Sequence, residues 1–248
     1  MIIGGEFVIM SLAVFGAATL QSATGIGFGI VAGPIMLMVL GSSDAIQISI
    51  ILNILIAGYL MPSVRVHADQ ELLKKLLLGS VIGIPVGLYV FLSVEVVLLK
   101  ILAGIAVTMT VFIVLRQSNR STQVDTAAPG KGNATPVGVL SGVMGGSLGM
   151  PGPIPAAWMV STGYSKEAIR ATVLMLFVFS YALVFLLQVF LAGVSAEIIW
   201  TCVYLAPPTI IGILFGRVLA GWLTEQIFRW LLVIILASTA VLLFSSVL

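Results

Sequence analysis

The chain has 248 residues, 60% of them hydrophobic and 8% charged, with a formal net charge of +2 and a mean hydropathy of +1.23. Soluble domains carry about a quarter charged residues, so no water-soluble fold has an interior large enough for this much apolar surface, and an all-α polytopic membrane protein is expected. The basic residues are scattered between apolar runs and form no patch, which excludes nucleic acid as a partner, and Cys202, the only cysteine, permits neither an internal disulfide nor a cysteine metal cluster.

The first uncharged run, Phe7 to Ser43, is 37 residues long. It has no basic n-region and no A-x-A-like cleavage site, so it reads as mature protein and not as a removed signal. Its centre carries Gly25, Gly27 and Gly29 behind Thr24, followed by Pro34, a density of helix breakers that disfavours a continuous span. Uncharged runs at 45–64, 76–94 and 101–115 follow. Most are near the ~20 residues a helix needs to cross ~30 Å of hydrocarbon. The tract from Arg116 to Asn133, rich in Ser, Thr and Gly and containing Pro129, reads as a polar linker. A second long run, Gly132 to Ser165, has 34 residues and its own breakers, Gly145 to Gly149 and then Pro151, Gly152, Pro153 and Pro155. Uncharged runs at 171–196, 198–216 and 230–248 complete the chain.

This order is a duplication. Asp44 to Ser49 (DAIQIS) matches Glu167 to Thr172 (EAIRAT), Gly83 to Gly87 matches Gly212 to Gly216, and the Glu95 region matches the Glu225 region, at offsets of 123 to 130 residues. The expected organisation is a first repeat over 1–116, a linker over 117–133 and a second repeat over 134–248. Each repeat consists of a broken Gly- and Pro-rich helix pair plus three transmembrane helices. Charge placement bears on how the broken pairs lie, because cytoplasmic loops collect Lys and Arg. If both pairs re-enter on the side they came from, Lys100 alone lies opposite the other span-flanking basic residues; if they cross, the bias weakens. Re-entry leaves three crossings per half, hence inverted-topology repeats with both termini periplasmic; eight plain spans in two parallel repeats are the alternative.

Broken backbone at membrane depth is tolerated only where protein or a water-filled cavity satisfies its polar groups. A half-helix beginning there also presents free N–H groups and a positive dipole end, which suits an anion. The candidate substrate-binding residues are therefore Gln21, Ser22, Thr24, Gly25, Gly27 and Gly29 in the first half and Gly146, Ser147, Gly149 and Gly152 in the second. Ser49 and Thr172, which open the helix after each break, and Arg170, one turn into its helix, join them. Ser141 is a further hydroxyl donor beside the second break. Gly83, Gly87, Gly212 and Gly216 read as packing glycines in ordinary spans. Asn53 and Gln188 read as interhelical bonding groups, Trp200, Trp222 and Trp230 as interfacial anchors, and His67 as a solvated loop residue. All nine acidic residues lie in loops or near span ends, which argues against a proton relay through a buried carboxylate.

The length, the duplication, the Gly- and Pro-rich openings at 16–37 and 138–163 and the Ala-x-x-x-Ser/Thr starts at Ala45 to Ser49 and Ala168 to Thr172 together resemble the sulfite exporter TauE/SafE family, within the toluene-sulfonate uptake permease superfamily. The resemblance spans nearly the whole chain and rests mostly on small residues. It implies a multi-pass transporter of the bacterial inner membrane moving sulfite, sulfonates or related sulfur-containing anions. It implies no enzymatic activity, cofactor or metal. The partners expected are a small anion, the lipid bilayer and a coupling ion, H+ or Na+, with homo-oligomerisation open. Two rivals remain. A passive anion channel has the same architecture. An intramembrane hydrolase is suggested by the Gly145-Gly146-Ser147 pattern, yet it needs a base beside the serine, and the single histidine lies in a charged loop.

Overall fold

The structure is a computed structural model that describes residues 4–118, 133–219 and 225–246. Among the described residues regular structure is entirely helical. The first half comprises α1 (Gly5–Thr24), α2 (Phe28–Leu40), α3 (Asp44–Val64), α4 (Gln70–Ser93) and α5 (Val96–Ser118). The second comprises α6 (Thr135–Leu148), α7 (Pro153–Ser161), α8 (Lys166–Leu191), α9 (Ala196–Leu219) and α10 (Glu225–Ser245). The same succession of five therefore occurs twice. Among the described residues five helices are long and apolar enough to cross a bilayer: Gly5–Thr24, Asp44–His67, Gln70–Ser93, Lys166–Leu191 and Ala196–Leu219. Their outward faces carry large apolar side chains, such as Leu12, Tyr89 and Phe190, each more than 60% exposed. That surface belongs in lipid, because soluble monomers rarely expose contiguous apolar patches of this extent.

Both long runs break where glycine and proline cluster. Helix α1 ends at Gly25 (φ 87°) and α6 at Gly149 (φ 67°), each with its N–H on the carbonyl four residues back, Gln21 and Gly145. This is the left-handed cap in which glycine avoids the Cβ penalty. The arms differ in length. α2, α6 and α7 have 13, 14 and 9 residues, as short arms should, whereas α1 has 20. At 1.5 Å per residue α1 measures about 30 Å, so it is longer than a half-helix. No proline lies between Gly5 and Thr24, and nothing stops the helix before Gly25.

The two halves interlock through small residues. A Cβ on Gly79, Gly83 or Gly87 of α4 would strike the backbone carbonyl of Thr135, Val139 or Val143 of α6, and one on Gly212 or Gly216 of α9 would strike that of Phe15 or Thr19 of α1. These pairings keep ascending order, so α4 runs parallel to α6 and α1 to α9. They are the same pairing with the halves exchanged. The packing reading of Gly83, Gly87, Gly212 and Gly216 thus has a concrete partner in each case, a helix backbone in near contact. Helices α3 and α8 run antiparallel: Gln47 near the start of α3 donates to the Gly193 carbonyl after α8, and the Asp69 amide after α3 donates to Thr172 near the start of α8. In the same loops Asp69 caps α4 by accepting from Leu72 at 2.9 Å. Tyr164 donates to the Asp69 carboxylate, and burial first, then that charge, push its hydroxyl above the usual phenol range.

Residues 119–132, most of the expected linker, and the side chains of Trp222 and Trp230 lie outside the described residues. Trp200 is exposed on α9, beside Tyr204 at 6.3 Å.

Candidate substrate site

The two breaks touch each other. A Cβ on Gly29, in the first turn of α2, would lie 2.6 Å from the Gly149 carbonyl at the end of α6. Beside this contact is a small cavity lined by Gln21, Gly27, Gly29 and Ile30 from the first half, Met150, Gly152 and Pro153 from the second break, and Phe177 and Tyr181 from α8. Phe177 and Tyr181 lie near the middle of the 26-residue α8. Room for the centre of a solvent molecule amounts to ≈ 10 Å³, about one water. A tetrahedral oxyanion does not fit unless the breaks move apart.

Gln21 gives this cavity its polarity. The side chain is completely buried. Its Oε1 accepts the Phe28 N–H at 2.9 Å and so caps α2, which fixes the orientation of the amide, since only an oxygen can accept that bond. Its Nε2 has no partner. An unpaired buried donor costs about 1–3 kcal/mol, so the NH₂ is primed for an acceptor arriving from the cavity. Val31 is the first residue of α2 whose amide reaches a backbone carbonyl, that of Gly27. Gly29 and Ile30, both lining the cavity, are left as N-terminal donors at the positive end of the helix dipole. The second break is poorer in donors. Pro153 and Pro155 occupy the first turn of α7 and have no N–H to give, which leaves Gly152 and Ile154. The two breaks are alike in sequence but not in electrostatics.

Of the expected residues, Gln21, Gly27, Gly29 and Gly152 come together around the cavity. Gly152 owes its identity to Phe177, whose ring would lie 2.6 Å from a Cβ there. The others are placed elsewhere. Ser22 donates to the Ile213 carbonyl, Thr24 to those of Leu20 and Ile26, and Ser147 to that of Val143. Thr172 holds the Asp69 amide at 3.1 Å. Gly146 abuts the Ile84 carbonyl of α4, and Gly149 meets Ile50 and Ile46 of α3. Arg170 lies across Gly25, where a Cβ would be 2.6 Å from its Cγ, and its Nη2 donates to the Ser22 carbonyl at 2.7 Å. A guanidinium there complements the negative end of α1. Ser49 is fully buried, its hydroxyl without a partner. Ser141 donates to the Pro151 carbonyl at 2.6 Å and ties the second break to α6.

Phe177 and Tyr181 are cavity residues that the sequence reading missed. The Tyr181 hydroxyl donates to the Gly149 carbonyl at 2.9 Å, and the two rings pack 5.3 Å apart. Tyr181 thereby covers an acceptor that would face an anion. One signal pointed to it: a tyrosine deep in an uncharged span needs a partner for its hydroxyl. Asn53 does not bond between helices; its Nδ2 donates to the Ser49 carbonyl of its own helix. Gln188 is fully buried with neither amide atom paired. His67 sits exposed in the 3-10 turn after α3, far along the chain from any break. Among the described residues no group of His, Cys, Asp and Glu could hold a metal ion.

The sulfite exporter TauE/SafE family model matches residues 10–243. The chain belongs to that family. It is a family of membrane transporters and not of enzymes, so this member is a multi-pass membrane protein of the transporter class. No curated protein and no solved structure gives a significant match.

Proposed function

We propose that this TauE/SafE member is a secondary transporter of small sulfur-containing anions, sulfite or a sulfonate, in the bacterial inner membrane, and that the anion is held where the two helix breaks meet. The observation that carries this reading is Gln21: fully buried, its oxygen committed to capping α2, its NH₂ unpaired at a cavity that also receives the free N–H end of that helix. The unpaired side-chain atom there is a donor, and donors without a formal charge select an anion while sparing the cost of a buried cation. Family membership supports an oxyanion of sulfur.

Helix directions support an inverted repeat, with residues 1–116 and 134–248 as its halves. Short loops join α3 to α4 and α8 to α9, so each of those pairs is antiparallel, and α3 is antiparallel to α8. With α1 parallel to α9 and α6 parallel to α4, α1 must run with α3 and α6 with α8. Then α2 and α7 can only return towards the face from which α1 and α6 set out. Each broken pair is a hairpin, and the two enter from opposite faces with their tips overlapping at the depth of mid-α8. A site formed at the contact of two opposed hairpins is suited to alternate exposure.

The test is uptake by proteoliposomes with sulfite, sulfate, a sulfonate, a carboxylate and an uncharged sugar. Saturable sulfite or sulfonate uptake with counterflow is expected, without competition from the sugar. Non-saturating conductance, or preference for a neutral or cationic solute, would overturn the proposal.

A further inference from the structure

A second pair of buried polar atoms has the opposite sign. On α3, Ser49 and Asn53 lie one turn apart and are both completely buried. The Asn53 Nδ2 donates to the Ser49 carbonyl at 3.0 Å, which only a nitrogen can do, so the orphan atom of this amide is the oxygen, Oδ1. Ser49 Oγ is also unpaired. The cavity side of the site thus ends in a spare donor at Gln21, and this side in spare oxygens.

Three observations place these oxygens beside the anion site. Met150 lines the cavity. Its Cγ lies 3.6 Å from a Cβ built on Gly29, and its Cε 3.6 Å from one built on Gly33, where Ser49 Oγ also comes within 3.5 Å. The thioether side chain is therefore a thin wall between the two polar sets. Further, Gly149 rests on Ile46 and Ile50, which share a helix face with Asn53 at i, i+4 and i+7. The C-terminal, negative end of α6 therefore rests on the α3 face that also carries Asn53, about one turn before that residue.

We infer that Ser49 Oγ and Asn53 Oδ1 form part of a site for a small monovalent cation, of the Na+ type, adjacent to the anion across Met150. Neutral oxygens and a helix C-terminus are the ligand set by which broken-helix transporters hold such an ion, and hydroxyl and amide oxygens suit a hard cation. A proton has no acceptor of its own here: the acidic residues whose side chains are described, Glu6, Asp44, Asp69, Glu71, Glu95, Glu167 and Glu197, stand at helix starts or in loops. The second half has no equivalent, since Thr172 is occupied by the Asp69 amide and position 176 is Leu176.

The test is thermal unfolding of purified protein in choline chloride, titrated with NaCl at constant ionic strength. A ligand that binds only the folded state raises the melting temperature once its concentration passes its dissociation constant and then logarithmically, so a rise with the logarithm of Na+ concentration at constant ionic strength is expected. Ser49→Ala and Asn53→Ala should abolish it. Asn53→Asp, which places a carboxylate at the same position, should move the onset of the rise to a lower Na+ concentration, and it guards against a merely unfolded alanine variant. No rise in the wild type, or an undiminished one in Asn53→Ala, overturns the cation site. The role in coupling rests on the transport reading and is read separately, from sulfite uptake under an inward Na+ gradient. Uptake that proceeds at the same rate in choline overturns coupling; absence of uptake together with a retained Na+ shift falls on the transport reading alone.

Discussion

The role proposed for Gln21 rests on a division of labour between the two ends of one amide. The oxygen holds the start of α2 and the nitrogen is left for the cavity. Gln21→Glu separates these functions, because a carboxylate still accepts the Phe28 N–H but offers a negative charge where a donor stood. Sulfite uptake per folded protein should fall by at least about tenfold, equivalent to about 1.4 kcal/mol, and the buried carboxylate should also lower the melting temperature. Uptake equal to that of the wild type would remove Gln21 from the site. The residue was legible in the sequence as a polar group beside a glycine-rich break. What could not be read was how the neighbouring hydroxyls are spent. Thr24 and Ser147 bond the carbonyl four residues back, the local alternative always open to Ser and Thr in a helix, and no pattern of residue types says whether that option is taken.

At the scale of elements, the breaks were legible and their partners were not. Glycine and proline density located both interruptions to within a few residues, since the backbone cost of those residues is local. Small residues every fourth position on α4 and α9 likewise announced close packing, but not against what, because a glycine stripe has no complement to read in the partner. The partners are α6 and α1, whose carbonyls occupy the places where Cβ atoms would be. Gly83→Ala and Gly212→Ala should therefore each lower stability by about 1–3 kcal/mol, the usual penalty for overpacking a rigid contact. Gly16→Ala is the control. It lies in the same α1 helix with nothing within 4 Å of an added Cβ, and alanine there should be neutral or stabilising by helix propensity. Unfolding in detergent of all three variants checks this; equal effects at Gly16 and Gly83 would mean that helix propensity, and not the α4–α6 contact, decides the outcome.

For the whole molecule, the proposed inverted repeat turns on two opposed hairpins, and the sequence bore on this only through its charges. The positive-inside bias favoured re-entry, and the antiparallel run of α3 and α8 supports it on independent grounds. The consequence is a strict sorting of loops. Gly41 to Ser43 and Ala192 to Ser195 fall on one face, joined by the Gln47 bond to Gly193, and Ala68 and Gly163 fall on the other, near the Asp69 bond to Thr172. In a Cys202→Ser background, single cysteines at Ser42 and Ser195 should react with an impermeant maleimide added outside intact cells. Cysteines at Ala68 and Gly163 should react only after the membrane is opened, because the basic loops mark their face as cytoplasmic. Were the broken segments to cross instead, the loop at 41–43 and the loop at 192–195 would lie on opposite faces. Labelling of Ser42→Cys but not Ser195→Cys from outside would therefore dismantle the opposed hairpins, and with them the reason for the two helix breaks to meet at mid-depth.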